Sequence, residues 1–326
     1  MEPSSIFNNL VDLHLHLGSS SSPHFLWELA HEQGIRLPEK DYWKFIHSVT
    51  ITKKTTYDNY LKFFDLTERI QSSTYAIEKA VYHAISSAYR KANVTTLEIR
   101  FNPMLRNKGG EQDLDKIIFS ALVGMKKACL DYPVKSGIIL MMDRRFDKRK
   151  NEIIAKKAIR FKQDGVVGID LAGPIDTAFK MDDIVKSVEL VKASGIKVTI
   201  HTGEITPSKE IWEVVEKLEP DRIGHGIRAV DDAKLLDVIS KKKIVLELCP
   251  TSNLRTQAVK NMKEIEKIIQ TLKKHHVVFT INSDGPELLQ TDVKRELELL
   301  IQNCVLNREE VLSIIRFARK ASFIPL

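Results

Sequence analysis

The segment LVDLHLHLGSSSSP, residues 10–23, sets His14 and His16 one residue apart near the end of an apolar run. On an extended strand, side chains two apart share a face, so both imidazoles point the same way. Neutral imidazole nitrogen and carboxylate oxygen are ligands that zinc favours. More such groups follow at the ends of other apolar runs: His201 and Glu204 in HTGE, His225 in GHG, and Asp284 in NSDGP. A lone histidine of this kind is ordinarily a satisfied polar group in a core. Three histidines and a carboxylate gathered at strand ends read instead as a metal clamp with His14 and His16 as two of its prongs. Ligand type alone leaves iron and manganese open beside zinc.

The elements that must position these groups are short runs rich in Val and Ile, separated by longer amphipathic stretches. They lie at 10–17, 94–101, 136–143, 166–173, 196–204, 221–226, 243–250 and 277–285, and DRIGHG (221–226) is the weakest strand among them. Near-continuous apolar strands predict a parallel sheet covered on both faces. Stretches such as DDIVKSVELVKAS and DDAKLLDVISKK open on acids suited to a helix N-terminus. Eight strands alternating with helices predict an α/β fold, a (β/α)8 barrel, whose chemistry gathers at the C-terminal edge of the strands. Residues 18–93 form a long first crossover with helical patterns, expected to cap the barrel mouth. The whole chain, 1–326, reads as one domain.

Composition narrows the function classes. The formal charge is +7, but the lysines are interleaved with acids on helical stretches, as on a solvated face. No basic tail, zinc finger or RNA-binding signature supports a nucleic-acid partner. No apolar run reaches the length of a membrane span. The start MEPSSIFNN lacks the basic and then apolar pattern of a secretory signal, and Cys129, Cys249 and Cys304 form no C-x-x-C pair. A reduced, cytoplasmic enzyme is expected; oligomeric state is not legible. HEQG at 31–34 lacks the second histidine of a metalloprotease helix. Cys249–Pro250 reverses the order found in cytidine-type deaminases. GHGIRA (224–229) matches a dinucleotide fingerprint in letters but opens no βαβ unit. His24, His31, His47, His83, His275 and His276 read as surface or packing residues.

In order along the chain, DLHLHL, LEIRFNP, GIDLAG, HTGE, RIGHG, CPTSN, INSDGP and ARKASFIP resemble the adenosine deaminase family of metal-dependent hydrolases. The resemblance implies that His14, His16, His201 and Asp284 hold one zinc ion, which lowers the pKa of a bound water. It implies a purine substrate attacked at C6, with Glu204 donating a proton to N1. His225 is then expected to orient and help deprotonate the water, and Asp284 to shuttle its proton toward departing ammonia. The backbone N–H of Gly173 is expected to meet N3. His16, Gly18, Gly173 and Gly285 stand at the substrate-contacting positions.

Two departures concern recognition. The family usually has an acid where this chain has Gly18, and a second aspartate where it has Gly285. These normally contact the ribose and N7, and Ser19, Ser20 and Ser21 stand near the first gap. The expectation is deamination of a 6-aminopurine for which unmodified adenosine is not the most efficient substrate. Aminodeoxyfutalosine, an N6-modified adenosine and adenine are the alternatives, with a catalytically idle nucleoside-binding protein as the reading from another class.

Overall fold

A computed structural model describes residues 6–175 and 177–325. The first residues of MEPSSIFNN therefore lie outside the described part, as do Asp176 and Leu326.

Eight parallel strands run in the order of the sequence: β1 (Leu10–His16), β2 (Val94–Phe101), β3 (Lys135–Asp143), β4 (Val166–Ala172), β5 (Lys197–Thr202), β6 (Arg222–His225), β7 (Val245–Leu248) and β8 (Phe279–Ile281). The sheet closes on itself where β1 meets the end of β8. His16 N donates to Asp284 O at 2.9 Å, Asp284 N to His14 O at 2.8 Å, and Leu13 N to the Asn282 side chain at 3.0 Å. This is a nearly closed (β/α)8 barrel, and all eight apolar runs of the sequence lie on its strands. DRIGHG forms the four-residue β6, shorter than a typical strand but paired on both sides.

Helices cover the outside through one apolar stripe each. In Met262–Lys274, Ile265, Ile268, Ile269 and Leu272 are buried at helical spacing, and Asn261 caps the start by accepting from Glu264 N. One cluster of buried apolar side chains runs from Leu10 to Ile315, joining strands and helices. No described helix is long and apolar enough to cross a membrane.

The barrel interior is charged. Arg222 bridges Glu98 and Glu247, and Arg100 bridges Glu247 (2.8 Å) and Asp170 (2.9 Å), all fully buried or nearly so. Burial opposes ionisation of Glu247, but Arg100 and Arg222 outweigh it and hold this carboxyl down at about 2. The SFIP segment closes the floor: Ser322 Oγ donates to Glu98 at 2.8 Å, and the Phe323 ring lies 3.4 Å from the Arg222 guanidinium.

Between β1 and β2 come α1 (Pro23–Glu32), α2 (Tyr42–Ser48), α3 (Tyr57–Ile70) and α4 (Thr74–Ala92). Each start carries a side-chain cap: Ser22, Asp41, Thr56 and Ser73 accept from the backbone three residues on. The two helical patterns read from this crossover correspond to α3 and α4. The first of these overhangs the strand ends, with Tyr57, Tyr60, Leu61, Phe64 and Glu68 lining the cavity there.

Candidate active site

His14 and His16 share the inward face of β1, and His201 reaches the same point from β5. Their rings stand 4.5–5.2 Å apart between centroids. Two carboxylates set the ring orientations from behind. His14 Nδ1 lies 2.7 Å from Glu247, and His201 Nδ1 lies 2.8 Å from Asp170. A neutral ring that donates from Nδ1 presents a lone pair on Nε2. His14 Nε2 is buried with no hydrogen-bond partner among the described residues. His16 Nε2 stands 3.1 Å from His201 Nε2 and 3.5 Å from Asp284 Oδ1.

Burial is the first cause holding the His14, His16 and His201 imidazoles well below their ordinary pKa; Arg100 and the neighbouring histidines add to it. They are therefore neutral and ready to bind a cation. Converging lone pairs, an orphaned buried nitrogen and a carboxylate partner behind two of the rings fit a divalent metal. Cys249 lies within the same cluster as His14, His225 and Asp284. Burial pushes its thiol well above its ordinary pKa, and Sγ donates to Glu247 O at 3.6 Å.

Beside this set, Glu204 and His225 share one partner. Asn253 Nδ2 donates to His225 Nδ1 at 3.1 Å and to Glu204 Oε1 at 3.3 Å, and Thr256 Oγ1 also donates to Glu204. Occupying Nδ1 places the proton of neutral His225 on Nε2, which faces Glu204 Oε2 at 3.6 Å and Asp284 Oδ2 at 3.9 Å. Burial pushes Glu204 up to about 7 despite those hydrogen bonds, and it raises Asp284 as well. His225 and Asp284 both sit at φ 60°, a left-handed backbone uncommon outside glycine.

Gly224 explains half of the GHG motif. A Cβ there would lie 3.1 Å from His14 Cε1 and 3.2 Å from His201 Cγ, so glycine leaves room for the two rings. Asp284 also accepts from Tyr60 Oη at 3.2 Å.

A cavity of about 270 Å³ opens onto this cluster. Of the residues expected to contact substrate, His16, Gly18 and Gly173 line it. Gly285 is not among the lining residues. A Cβ on it would lie 2.9 Å from Ser19 Oγ and 3.4 Å from Tyr60 Oη. Ser19, Ser20 and Ser21 are not among the lining residues either. Ser19 Oγ donates to His16 O and Ser20 Oγ to Leu17 O, closing the 3₁₀ turn Leu17–Ser19, and Ser21 is buried away from the cavity. GHGIRA leads from β6 into the 3₁₀ turn Ile227–Asp231 and cradles no phosphate loop. Sequence reasoning assigned no role to Asp170, Glu247, Asn253, Thr256, Tyr57 or Tyr60. Asp170 and Glu247 left a signal, as lone acids at the centre of apolar strands. Asn253 was visible as part of CPTSN.

The family model described as adenosine deaminase matches residues 9–326. Adenosine deaminase of Vibrio atlanticus (strain LGP32) is 30% identical over 315 residues, covering 96% of this chain and 93% of that one. The enzyme of the same name from Clostridium botulinum (strain 657 / Type Ba4) is 31% identical over 314 residues, covering 96% and 93%. Among solved structures, a zinc-bound amidohydrolase from Burkholderia ambifaria is similar with a TM-score of 0.88 and 18% identity, covering 98% of this chain and 88% of that one. Arabidopsis ADAL complexed with IMP is similar with a TM-score of 0.85 and 21% identity, covering 98% and 93%.

Proposed function

This chain belongs to the adenosine deaminase family of hydrolytic, metal-dependent deaminases, and we propose that it converts the 6-amino group of an adenine nucleoside to a 6-oxo group with zinc at His14, His16, His201 and Asp284. The observation that carries the reading is the pairing of two environments. Neutral imidazoles with converging lone pairs stand next to a buried glutamic acid raised to about 7.

Zinc held there by His14, His16, His201 and Asp284 would supply a water acidified enough to attack near neutral pH. Glu204, whose pKa burial raises to about 7 before metal is bound, would donate its proton to N1 as electron density moves there during addition to C6. His225, with its proton on Nε2, orients the water and stabilises the developing negative oxygen by donation. The role of base then falls to Asp284, which takes the first water proton and delivers it to the amino nitrogen. The C6–N bond breaks, ammonia leaves, and the second water proton regenerates the acid. Gly173, at φ 103° on the cavity wall, would offer its backbone N–H to a purine ring nitrogen. A catalytically idle protein has no use for the Glu204–His225 pair. The three cysteines are all free, which suits a reducing compartment, the cytoplasm.

The test is ammonia release from a panel of 6-aminopurines by zinc-reconstituted protein. Turnover of at least one compound to its 6-oxo product is expected; no ammonia from any of them would overturn the reading.

A further inference from the structure

Of the charged side chains lining the cavity that the metal and proton-transfer groups and the barrel-interior ion pairs leave without a role, Arg106 is the most deeply buried. Arg106 follows the 3₁₀ turn Pro103–Leu105, lines the cavity and is 1% exposed. Its Nε and Nη1 are buried with no hydrogen-bond partner among the described residues. Glu68 Oε1 lies 3.3 Å from Nη1 but outside hydrogen-bond geometry. Leaving a buried guanidinium with idle donors is costly, and its planar fork matches a carboxylate or phosphate.

The surroundings keep that fork free. Gly18 has no side chain, and a Cβ there would lie 3.3 Å from Arg106 Nη2 and 2.8 Å from the Phe64 ring. Any larger residue at 18 presses on the guanidinium. The nearby acid Asp143 is neutralised by Arg145, which grips it through Nε (2.9 Å) and Nη2 (2.7 Å). Burial raises the Glu68 carboxyl, and Arg106 is the first of the charges that pull it back down.

We propose that Arg106 forms an oxyanion subsite in the cavity and that the substrate is an adenine nucleoside bearing a carboxylate or phosphate on its sugar side. The proposal rests on the deaminase reading: with C6 placed at Glu204, a group that reaches Arg106 hangs from the other side of the purine.

The experiment compares kcat/KM for adenosine, 5′-methylthioadenosine, adenosine 5′-phosphate and adenosine 5′-carboxylate in the native protein and in Arg106→Gln and Arg106→Lys. An anionic compound should exceed adenosine by about tenfold or more, and whether the phosphate or the carboxylate leads identifies the source of the oxyanion. The anionic-to-neutral ratio should fall by about 10- to 100-fold in Arg106→Gln and by less in Arg106→Lys, which keeps the charge without the fork. Preference for the neutral compounds in the native protein, or a ratio unmoved in a folded Arg106→Gln variant, would overturn the subsite. Should that variant fail to fold, the native ranking and the Arg106→Lys ratio decide. If none of the four releases ammonia, the wider 6-aminopurine panel decides the deaminase reading. Calorimetry with ribose 5-phosphate against ribose then judges the subsite by itself: tighter binding of the phosphate supports it, equal binding overturns it.

Discussion

Asp170 Oδ2 lies 2.8 Å from His201 Nδ1, across a part of the barrel where the backbone ladder between β4 and β5 has already ended. Their paired residues are Gly168 with Lys197 and Ile169 with Val198. Above them this side-chain contact takes over from the sheet. It fixes the His201 tautomer and aims Nε2 at the proposed metal position. Asp170→Asn retains the shape but loses the carboxylate. The expected outcome is a folded protein whose zinc affinity drops about 10- to 100-fold, measured by competition with a chelator. His201→Ala should lose both metal and turnover. Unchanged affinity in Asp170→Asn would show that the ring needs no such support.

Glu204→Gln separates metal binding from proton transfer. Glutamine preserves size and accepts from Asn253 and Thr256 through its carbonyl, so zinc content should match the native protein. Turnover should fall by about 10²-fold or more, because the amide cannot protonate N1. The pH profile gives a second readout. An acid that must be protonated works below its pKa, so native kcat/KM holds level below the Glu204 value and falls above it. Burial sets that value at about 7 before metal is bound, and a nearby dication moves the fall to lower pH. In Glu204→Gln that limb should vanish; its persistence would assign it to another group.

The barrel was legible because buried parallel strands read as apolar runs, and the six candidate site residues His14, His16, His201, Glu204, His225 and Asp284 stood at the ends of those runs. What stayed hidden is long-range. Glu98 and Arg100 sit two apart on β2 and so face the interior together, but nothing local says that Arg222 and Glu247 will meet them. Tyr60 arrives on α3, far from Asp284 in sequence, through the packing of an insertion whose helical patterns were visible but whose contacts were not. The hydroxyls of Ser19 and Ser20 were readable as donors, whereas their capture by backbone carbonyls depends on the 3₁₀ turn that follows β1.

The floor of the barrel tests stability without touching the chemistry. Phe323 stacks on the Arg222 guanidinium at 3.4 Å, and Gly168 makes room for its ring, since a Cβ there would lie 2.9 Å away. A desolvated cation–π contact contributes about 2 kcal/mol, and removing the ring adds a cavity term. Phe323→Ala should therefore destabilise the fold by about 2–4 kcal/mol in denaturant titration, with zinc stoichiometry unchanged. A loss under about 0.5 kcal/mol, the size of an ordinary surface change, would mean that the segment merely covers the floor.

Tyr60→Phe removes the phenol that donates to Asp284 Oδ1. Asp284 is both ligand and proton carrier in the proposed reaction, so freeing one oxygen changes how that carboxylate is held. A hydrogen bond to a charged group contributes about 1.5–3 kcal/mol, so kcat should drop by about tenfold or more. KM for the purine should move less, because the phenol acts on Asp284 rather than on the base. Equal changes in both would place Tyr60 against the substrate instead.

Gly285 stands where the family's second aspartate would be, yet restoring that acid should not restore adenosine recognition. The space where its side chain begins is filled: a Cβ would lie 2.9 Å from Ser19 Oγ and 3.0 Å from Ser19 Cβ. Ser19 cannot swing away freely, because its hydroxyl is bonded to His16 O and its residue closes the turn after β1. Overpacking of this kind costs about 1–3 kcal/mol, and here it pushes on the backbone that carries His16. Gly285→Asp should therefore lose stability by that amount and bind zinc more weakly. Ser19→Gly combined with Gly285→Asp opens the space, so at least half of the lost stability should return, a non-additive result in a double-mutant cycle. If Gly285→Asp alone is as stable as the native protein and turns over adenosine faster, the crowding argument fails and the glycine is only a missing contact.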